Sequence, residues 1–357
     1  LRGLPDLCRI SPFATLWGAL GRHFHDPRLR QLFGRYATYC GSSPFQAPAT
    51  LMLVAHVERE GVWSVHGGMQ RIAQTLAALA TRRGARLRCA APVERILTEG
   101  GRVSGVALAS GEQIAADAVV FNGDVAALAQ GLLGDGVQRA VPATPIARRS
   151  LSAITWNLHG RAQGFDLLRH TVFFSGDSRA EFDDLFAHER LPQDPTVYVC
   201  AQDRGDPGAA APEGPERLLC LVNAPARADA RPLTEPEIER CEQRSFERLT
   251  ACGLHLARSP AQRTTPADFR RLFPATGGAL YGQASHGWRA SFSRPGSRCK
   301  VPGLYLAGGS THPGPGVPMA ALSGSLAAHG LLDDLATRRV STRPWPTAAT
   351  PGGTSTR

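Results

Sequence analysis

Apolar positions along the 357-residue chain change their spacing several times, and each change predicts an element. Over residues 1–60 they recur three to four apart. Phe13, Leu16, Trp17 and Leu20 share one helical stripe, which predicts core packing, and Pro12, Pro27, Pro44 and Pro48 break the region into short helices. Met69–Arg82 is predicted as an amphipathic helix with Ile72, Leu76 and Leu79 on its apolar face and Gly84 as its stop. The period then shortens. Leu87–Cys89, Val93–Leu97, Val103–Leu108 and Ile114–Phe121 read as strands, with Ser110-Gly111 as a turn and Asn122-Gly123-Asp124 closing the last one.

Farther along, Leu151–Leu158, Thr171–Phe174, Thr196–Ala201 and Leu218–Val222 are predicted strands, and Asp203–Pro215 is a Gly/Pro/Ala-rich loop. Thr234 and Glu237 have the spacing of a capping box, which starts a helix running to about Ala251, ahead of Gly253. Leu304–Ala307 is a short apolar strand stopped by Gly308 and Gly309. A Gly/Pro loop follows, then a helix over Met319–Leu335 with Pro318 in its first turn. Residues 340–357 are Thr/Pro/Gly-rich and read as a disordered tail. Helices alternating with strands predict a mixed α/β fold, and the length predicts more than one domain.

Composition narrows the picture. The excess of +10 is carried almost wholly by arginine, since Lys300 is the only lysine. Arginines spread as evenly as Arg28, Arg82, Arg148, Arg231 and Arg339 do not form a nucleic-acid arm, so no nucleic acid is expected as partner. They fit a GC-rich coding bias best, with a surface drawn to anionic headgroups as the alternative. The eight cysteines show neither CxxC pairing nor Cys/His metal spacing and read as thiols in a reducing compartment. His23, His25 and Asp26 lie close together, but Asp26 precedes Pro27 and is more simply a turn residue, so no metal is expected. No apolar run reaches the ~18 residues of a membrane span. Thr50–Ala55 is apolar but short, a core segment or channel wall.

The stretch of residues 303–330, GLYLAGGSTHPGPGVPMAALSGSLAAHG, carries the chemistry. Gly314 and Gly316 let backbone approach something flat or charged, and the helix opening at Val317-Pro318-Met319 offers a positive N-terminal end. A cofactor is expected there; the alternative is an ordinary loop entering a packed helix. It is not a dinucleotide fingerprint. Met319 holds the third glycine position, the loop from Ala307 is too long, and Asp333 and Asp334 fall at a helix end.

The segment THPGPGVPMAALSG (311–324) resembles the C-terminal flavin-facing motif of bacterial carotenoid desaturases of the phytoene desaturase type, FAD-dependent relatives of the amine oxidases. GVWSVHGGMQRIAQTLAALATRRGARLRCAAPVERI (61–96), ATYCGSSPFQAPATLMLV (37–54), TVYVCAQDR (196–204) and FPATGGALYGQASHG (273–287) extend the similarity, closest to the hydroxyneurosporene or methoxyneurosporene branch. The resemblance covers most of residues 1–336. The family's opening strand–GxGxxG–helix unit, which holds the ADP half of FAD, has no counterpart here, so the chain is expected to be an N-terminally truncated enzyme.

The resemblance implies a Rossmann-like FAD domain built from residues 61–135 and 286–338, and a sheet-and-helix substrate domain over 136–285. Residues 1–60 would form a helical, membrane-facing region, and 339–357 a tail. It implies flavin contacts at Gly67, Gly68, Val93, Gly308, Gly309, Gly314, Gly316, Val317, Pro318 and Met319. Tyr281, His286 and Trp288 would lie near the substrate tunnel. His312 is the titratable candidate beside the flavin, against a purely loop-shaping role, and Asp124 is either a base or a helix cap. The implied reaction is FAD-dependent desaturation of an acyclic carotenoid such as hydroxyneurosporene, with oxygen or a quinone as electron acceptor. The enzyme would sit in the cytoplasm, peripherally on the membrane that stores its substrate. Rival readings are a phytoene desaturase or another amine-oxidase-like flavin oxidoreductase, and an inactive fragment lacking the ADP-binding half.

Overall fold

The computed structural model describes residues 11, 13–205, 212–256 and 262–341. Among these residues twelve strands follow in chain order: β1 Val93–Glu99, β2 Arg102–Leu108, β3 Gln113–Ala115, β4 Val119–Phe121, β5 Ser152–Gly160, β6 Ala162–Gln163, β7 His170–Phe173, β8 Val197–Ala201, β9 Glu216–Ala224, β10 His255–Leu256, β11 Gln262–Thr264 and β12 Leu304–Leu306.

The largest sheet has the order β11-β5-β9-β8-β7, and each neighbouring pair is antiparallel. Side chains alternate across it, as the two-residue period requires. Ile154, Trp156, Val197, Val199, Cys220 and Val222 point to one face, where they are buried with Ile238, Cys241, Phe246 and Leu249 of the helix Glu235–Ala251. Each such side chain contributes roughly 1.5–3 kcal/mol on burial, so this face anchors the sheet. The helix starts as its sequence dictates, because Thr234 and Glu237 form a capping box in which Glu237 Oε2 accepts from Thr234 N at 2.9 Å.

The second body brings together distant stretches. β1, β2 and β3 form an antiparallel meander, while β4 pairs in parallel with β12 through Val119↔Leu304 and Phe121↔Leu306. Ile96, Val103, Leu128, Val137, Leu304 and Leu306 form its core. In the N-terminal region Leu16 and Leu20 pack with Ala37 and Ala47. Asp26 caps the helix Pro27–Gly34, its side chain accepting from Arg28 N at 2.8 Å.

Several expectations change. Phe13 leaves the core stripe: it is 78% exposed and packs edge-on against Trp288 instead. Leu87–Cys89 forms no strand, because Leu87 is exposed and the segment pairs with no other strand among the described residues. The predicted strand 114–121 divides into β3 and β4, which serve different sheets. Helix Gln70–Arg82 forms as predicted, but Leu76 and Leu79 on its apolar face are exposed. The last helix runs Val317–Ser341, so it extends past Leu335 into the predicted tail; residues 342–357 lie outside the described residues, as do 206–211 of the predicted loop.

Candidate active site

The site is assembled where β4 and β12 end side by side. After β4, Asp124 turns the chain into the short helix Val125–Ala129, and its carboxylate accepts from Ala126 N at 2.9 Å. Burial pushes the Asp124 carboxyl up in pKa, against that hydrogen bond and the nearby Arg294 and Arg149 charges. After β12, Ser310 Oγ accepts from Val125 N at 3.2 Å, joining the glycine loop to the same helix.

Further side chains fix this loop. Gly308 N donates to Ser323 Oγ at 2.7 Å, and Ser323 belongs to the following helix. Thr311 Oγ1 donates to Gly308 O at 2.7 Å, and His312 N donates to Pro295 O at 2.8 Å ahead of a cis His312–Pro313 peptide. Gly314 and Gly316 have φ of +133° and +109°. A β-carbon at Gly314 would meet Arg294 Nε at 3.4 Å, whereas at Gly316 it would meet no protein atom within 4 Å. Gly316 therefore borders open space beside the exposed helix start Val317-Pro318-Met319.

Arg294 organises the underside of the loop. It is 6% exposed, and its donors reach main-chain carbonyls: Nη1 donates to Tyr281 O at 2.8 Å and Gly309 O at 3.2 Å, and Nη2 to Gln283 O at 2.6 Å. Burial lowers its pKa, while Cys40 and Asp124 oppose that shift.

Tyr281 also lines a cavity of about 650 Å³ beneath the five-stranded sheet. The cavity wall is the sheet face turned away from helix Glu235–Ala251, supplied by Ala153, Leu221, Asn223, Tyr198, His170 and Val172. Arg35, Thr38 and Tyr39 close it from the opposite side, and Glu58 and Val62 also line it. His170 Nδ1 and the Tyr198 hydroxyl share a 2.7 Å hydrogen bond. Another cavity, of about 610 Å³, is lined by Trp156, Ile238, Phe246 and Arg263. It lies on the helix-covered face, so the sheet separates it from Tyr281.

The structure thus gathers Asp124, Gly309, Gly314 and Tyr281 around Arg294 and Ser310, with Gly308 and Gly316 on the same loop. His312 sits on the same loop with an exposed side chain. Gly67 and Gly68 form an exposed turn before helix Gln70–Arg82, and Val93 opens β1, 43% exposed. His286 does not line the cavity. Its Nε2 accepts from Ser43 N at 3.0 Å, its ring packs on Phe186, and burial lowers its pKa to about 4, so it is neutral. Trp288 is likewise off the cavity wall, 54% exposed against Phe13. Arg294, Arg35 and Asn223 were not legible as site residues, since arginine is abundant throughout and no local motif marks them.

A loop of left-handed glycines, open at Gly316 and leading into a helix end, fits a bound cofactor with a flat or anionic edge. Residues 18–332 match the family of flavin containing amine oxidoreductases, and the chain belongs to that family. It is an oxidoreductase whose cofactor is FAD. Within that class it falls among the carotenoid desaturases. It is 58% identical over its whole length to a hydroxyneurosporene desaturase from Rubrivivax gelatinosus, covering 67% of that protein. It is 50% identical to the hydroxyneurosporene desaturase of Cereibacter sphaeroides over 92% of this chain and 66% of the other. The chain therefore spans about two thirds of the length of these relatives. The fold is also similar to the crystal structure of an oxidoreductase from Methanosarcina mazei, with TM-score 0.55 and 17% identity over 90% of this chain and 68% of that one.

Proposed function

We propose that the protein carries out FAD-dependent desaturation of an acyclic carotenoid such as hydroxyneurosporene. The observation that carries this reading is the direct link between cavity and glycine loop. One buried guanidinium, Arg294, holds both Tyr281 O and Gly309 O, so the cavity ends against the segment suited to the flavin. FAD, when bound, supplies the two-electron oxidation that no side chain can perform. The chain's own part is geometric. Gly308, Gly309, Gly314 and Gly316 admit the cofactor, Val317, Pro318 and Met319 aim a positive helix end at it, and Tyr281 walls the reacting end of the polyene. Gly67, Gly68 and Val93 would complete the cofactor contacts from the second body. His312 is the candidate proton acceptor on the loop, while the Asp124 carboxylate serves the helix cap.

On this reading residues 61–135 and 286–338 act together as the flavin domain and 136–285 as the substrate domain. Substrate reaches the cavity from a membrane surface. Exposed Leu53, Val57, Val62 and Trp63 support that route, because Val62 also lines the cavity. No helix among the described residues is long and apolar enough to cross a membrane. The exposed apolar side chains support a peripheral attachment, on the cytoplasmic side. The electrons would pass to oxygen or to a quinone.

The test is anaerobic incubation of the FAD-loaded enzyme with hydroxyneurosporene, followed by chromatography. Loss of two hydrogens with a longer-wavelength polyene spectrum is the expected result. Recovery of unchanged substrate from an enzyme that retains flavin and binds the polyene would sink the proposal. Repeating the reaction with oxygen or a quinone added identifies the acceptor.

A further inference from the structure

Several polar groups around the cavity are already engaged. Tyr198 shares its hydrogen bond with His170, and Thr38 Oγ1 donates to Arg35 O at 2.8 Å. Glu181, the carboxylate whose charge acts on Arg35, is 3% exposed and is occupied by Ser175 Oγ at 2.8 Å and by Thr196 N at 3.2 Å. The groups left over among the described residues are Arg35, Asn223, the Ser152 hydroxyl and the hydroxyls of Tyr39 and Tyr281, and of these Arg35 and Asn223 carry N–H donors. The guanidinium of Arg35 has no hydrogen-bond or ion-pair partner among the described residues; the side chain is half-buried and lines the cavity, and burial lowers its pKa. Asn223 is 7% exposed, and its Nδ2 is without a partner among the described residues.

Both are hydrogen-bond donors, and both line the cavity beside the apolar side chains of Leu151, Ala153, Val172, Leu221 and Leu280. Donors that a bound ligand buries without a partner are costly, and a hydrocarbon ligand would leave them so. A ligand bearing one hydroxyl or ether oxygen supplies the missing acceptor. Their placement is specific as well. Asn223 is paired with Ala153 in the sheet, and Ser150 Oγ nearby accepts from Tyr281 N at 3.0 Å, so Asn223 lies toward the Tyr281 end. The charge of Arg35 acts on Tyr39, Tyr198 and Tyr281 together.

We propose that Arg35 and Asn223 form a specificity site that binds the hydroxyl or ether oxygen at the end of the polyene and selects oxygenated carotenoids over plain hydrocarbons. The oxygenated end enters first and stops beside Tyr281. This inference rests on the desaturase reading above. It goes further by assigning the discrimination to two side chains and giving the direction in which the substrate lies.

The experiment measures binding of hydroxyneurosporene and of neurosporene to the protein in detergent micelles by quenching of tryptophan fluorescence, with Arg35→Met, Asn223→Leu and Arg35→Lys beside the unaltered chain. A buried hydrogen bond to a charged donor corresponds to about 10- to 100-fold in affinity. The unaltered protein is expected to favour the alcohol by at least about tenfold. Arg35→Met and Asn223→Leu should bring the two affinities together by weakening the alcohol alone, and Arg35→Lys, which keeps a cationic donor, should retain part of the preference. Equal binding of both polyenes by the unaltered protein overturns the inference and leaves the desaturase reading intact. So does a preference that survives in both apolar variants. Should one variant fail to fold, as judged by circular dichroism, the other still decides. Binding of neither polyene overturns the desaturase reading and the inference with it.

Discussion

A β-carbon at Gly316 would meet nothing within 4 Å beyond its chain neighbours, yet the backbone angle of +109° excludes most residues. Gly316→Val should therefore cost about 1–2 kcal/mol of local strain and place two methyl groups in the cofactor's space. Flavin absorbance retained through gel filtration should fall at least about tenfold, with far-ultraviolet circular dichroism unchanged. Full retention would remove Gly316 from the cofactor site. The left-handed backbone at this glycine was legible in the sequence as a Gly/Pro loop before a helix, a pattern shared by a cofactor loop and by an ordinary loop entering a packed helix. The role of His286 was not. Histidine beside a tunnel and histidine accepting a main-chain bond have the same local sequence, and only the 3.0 Å approach of Ser43 N separates them. Its pKa falls from 6.5 to about 4 on folding. The unfolded chain thus binds more protons between those values, and stability is complete above pH ~6.5 and lost as pH falls toward 4, by at most about 3 kcal/mol. His286→Gln keeps an acceptor and cannot titrate. Its urea midpoint should change less over that window than that of the unaltered protein, and identical pH slopes would contradict the assignment.

At the scale of elements, sequence periodicity located strands β5, β7, β8 and β9 to within two residues at either end, because one face is buried against a helix and the alternation is strong. It failed at Leu87–Cys89, where three residues of the right type have no partner strand to make them one. It also joined β3 to β4, since a continuous apolar run does not reveal that its halves pair with different strands. The parallel pairing of β4 with β12 was not predicted, since residues so distant in the chain leave no local signal; the resemblance implied only that their two segments share a domain. Arg294 ties these elements together by donating to carbonyls of Tyr281, Gln283 and Gly309. Arg294→Met removes all of these bonds and leaves the carbonyls without their donor, which should destabilise the protein by about 3–5 kcal/mol, read from urea denaturation. Lysine should not rescue it, because one ammonium does not reproduce the planar fork. Flavin retention should fall in parallel. A loss of stability without any effect on flavin would mean that Arg294 supports the fold and not the glycine loop.

Over the whole molecule, the net charge of +10 and the exposed apolar group at Leu53, Val57, Val62 and Trp63 bear on a single question, how a water-insoluble polyene reaches the cavity. Composition alone left the arginines ambiguous between coding bias and a membrane-seeking surface. The structure adds a direction. Trp63 is 81% exposed and adjoins Val62, which is 73% exposed and lines the cavity, so the apolar surface lies beside the cavity wall. Insertion of such side chains into the headgroup boundary is driven by burial and should persist in salt, whereas arginine attraction to anionic lipid is screened. Co-sedimentation with phosphatidylserine vesicles should therefore fall only partly when salt is raised from about 0.05 to 0.5 M. The double variant Val57→Ser, Trp63→Ser should lower the salt-resistant part about tenfold or more. The same variant should turn over polyene slowly when it is supplied in vesicles and at the normal rate when it is supplied in detergent. This second comparison separates a membrane contact from damage to the cavity. Equal loss of rate in both media would place Trp63 in the substrate path itself, and no loss in either would leave the apolar surface without a part in substrate delivery.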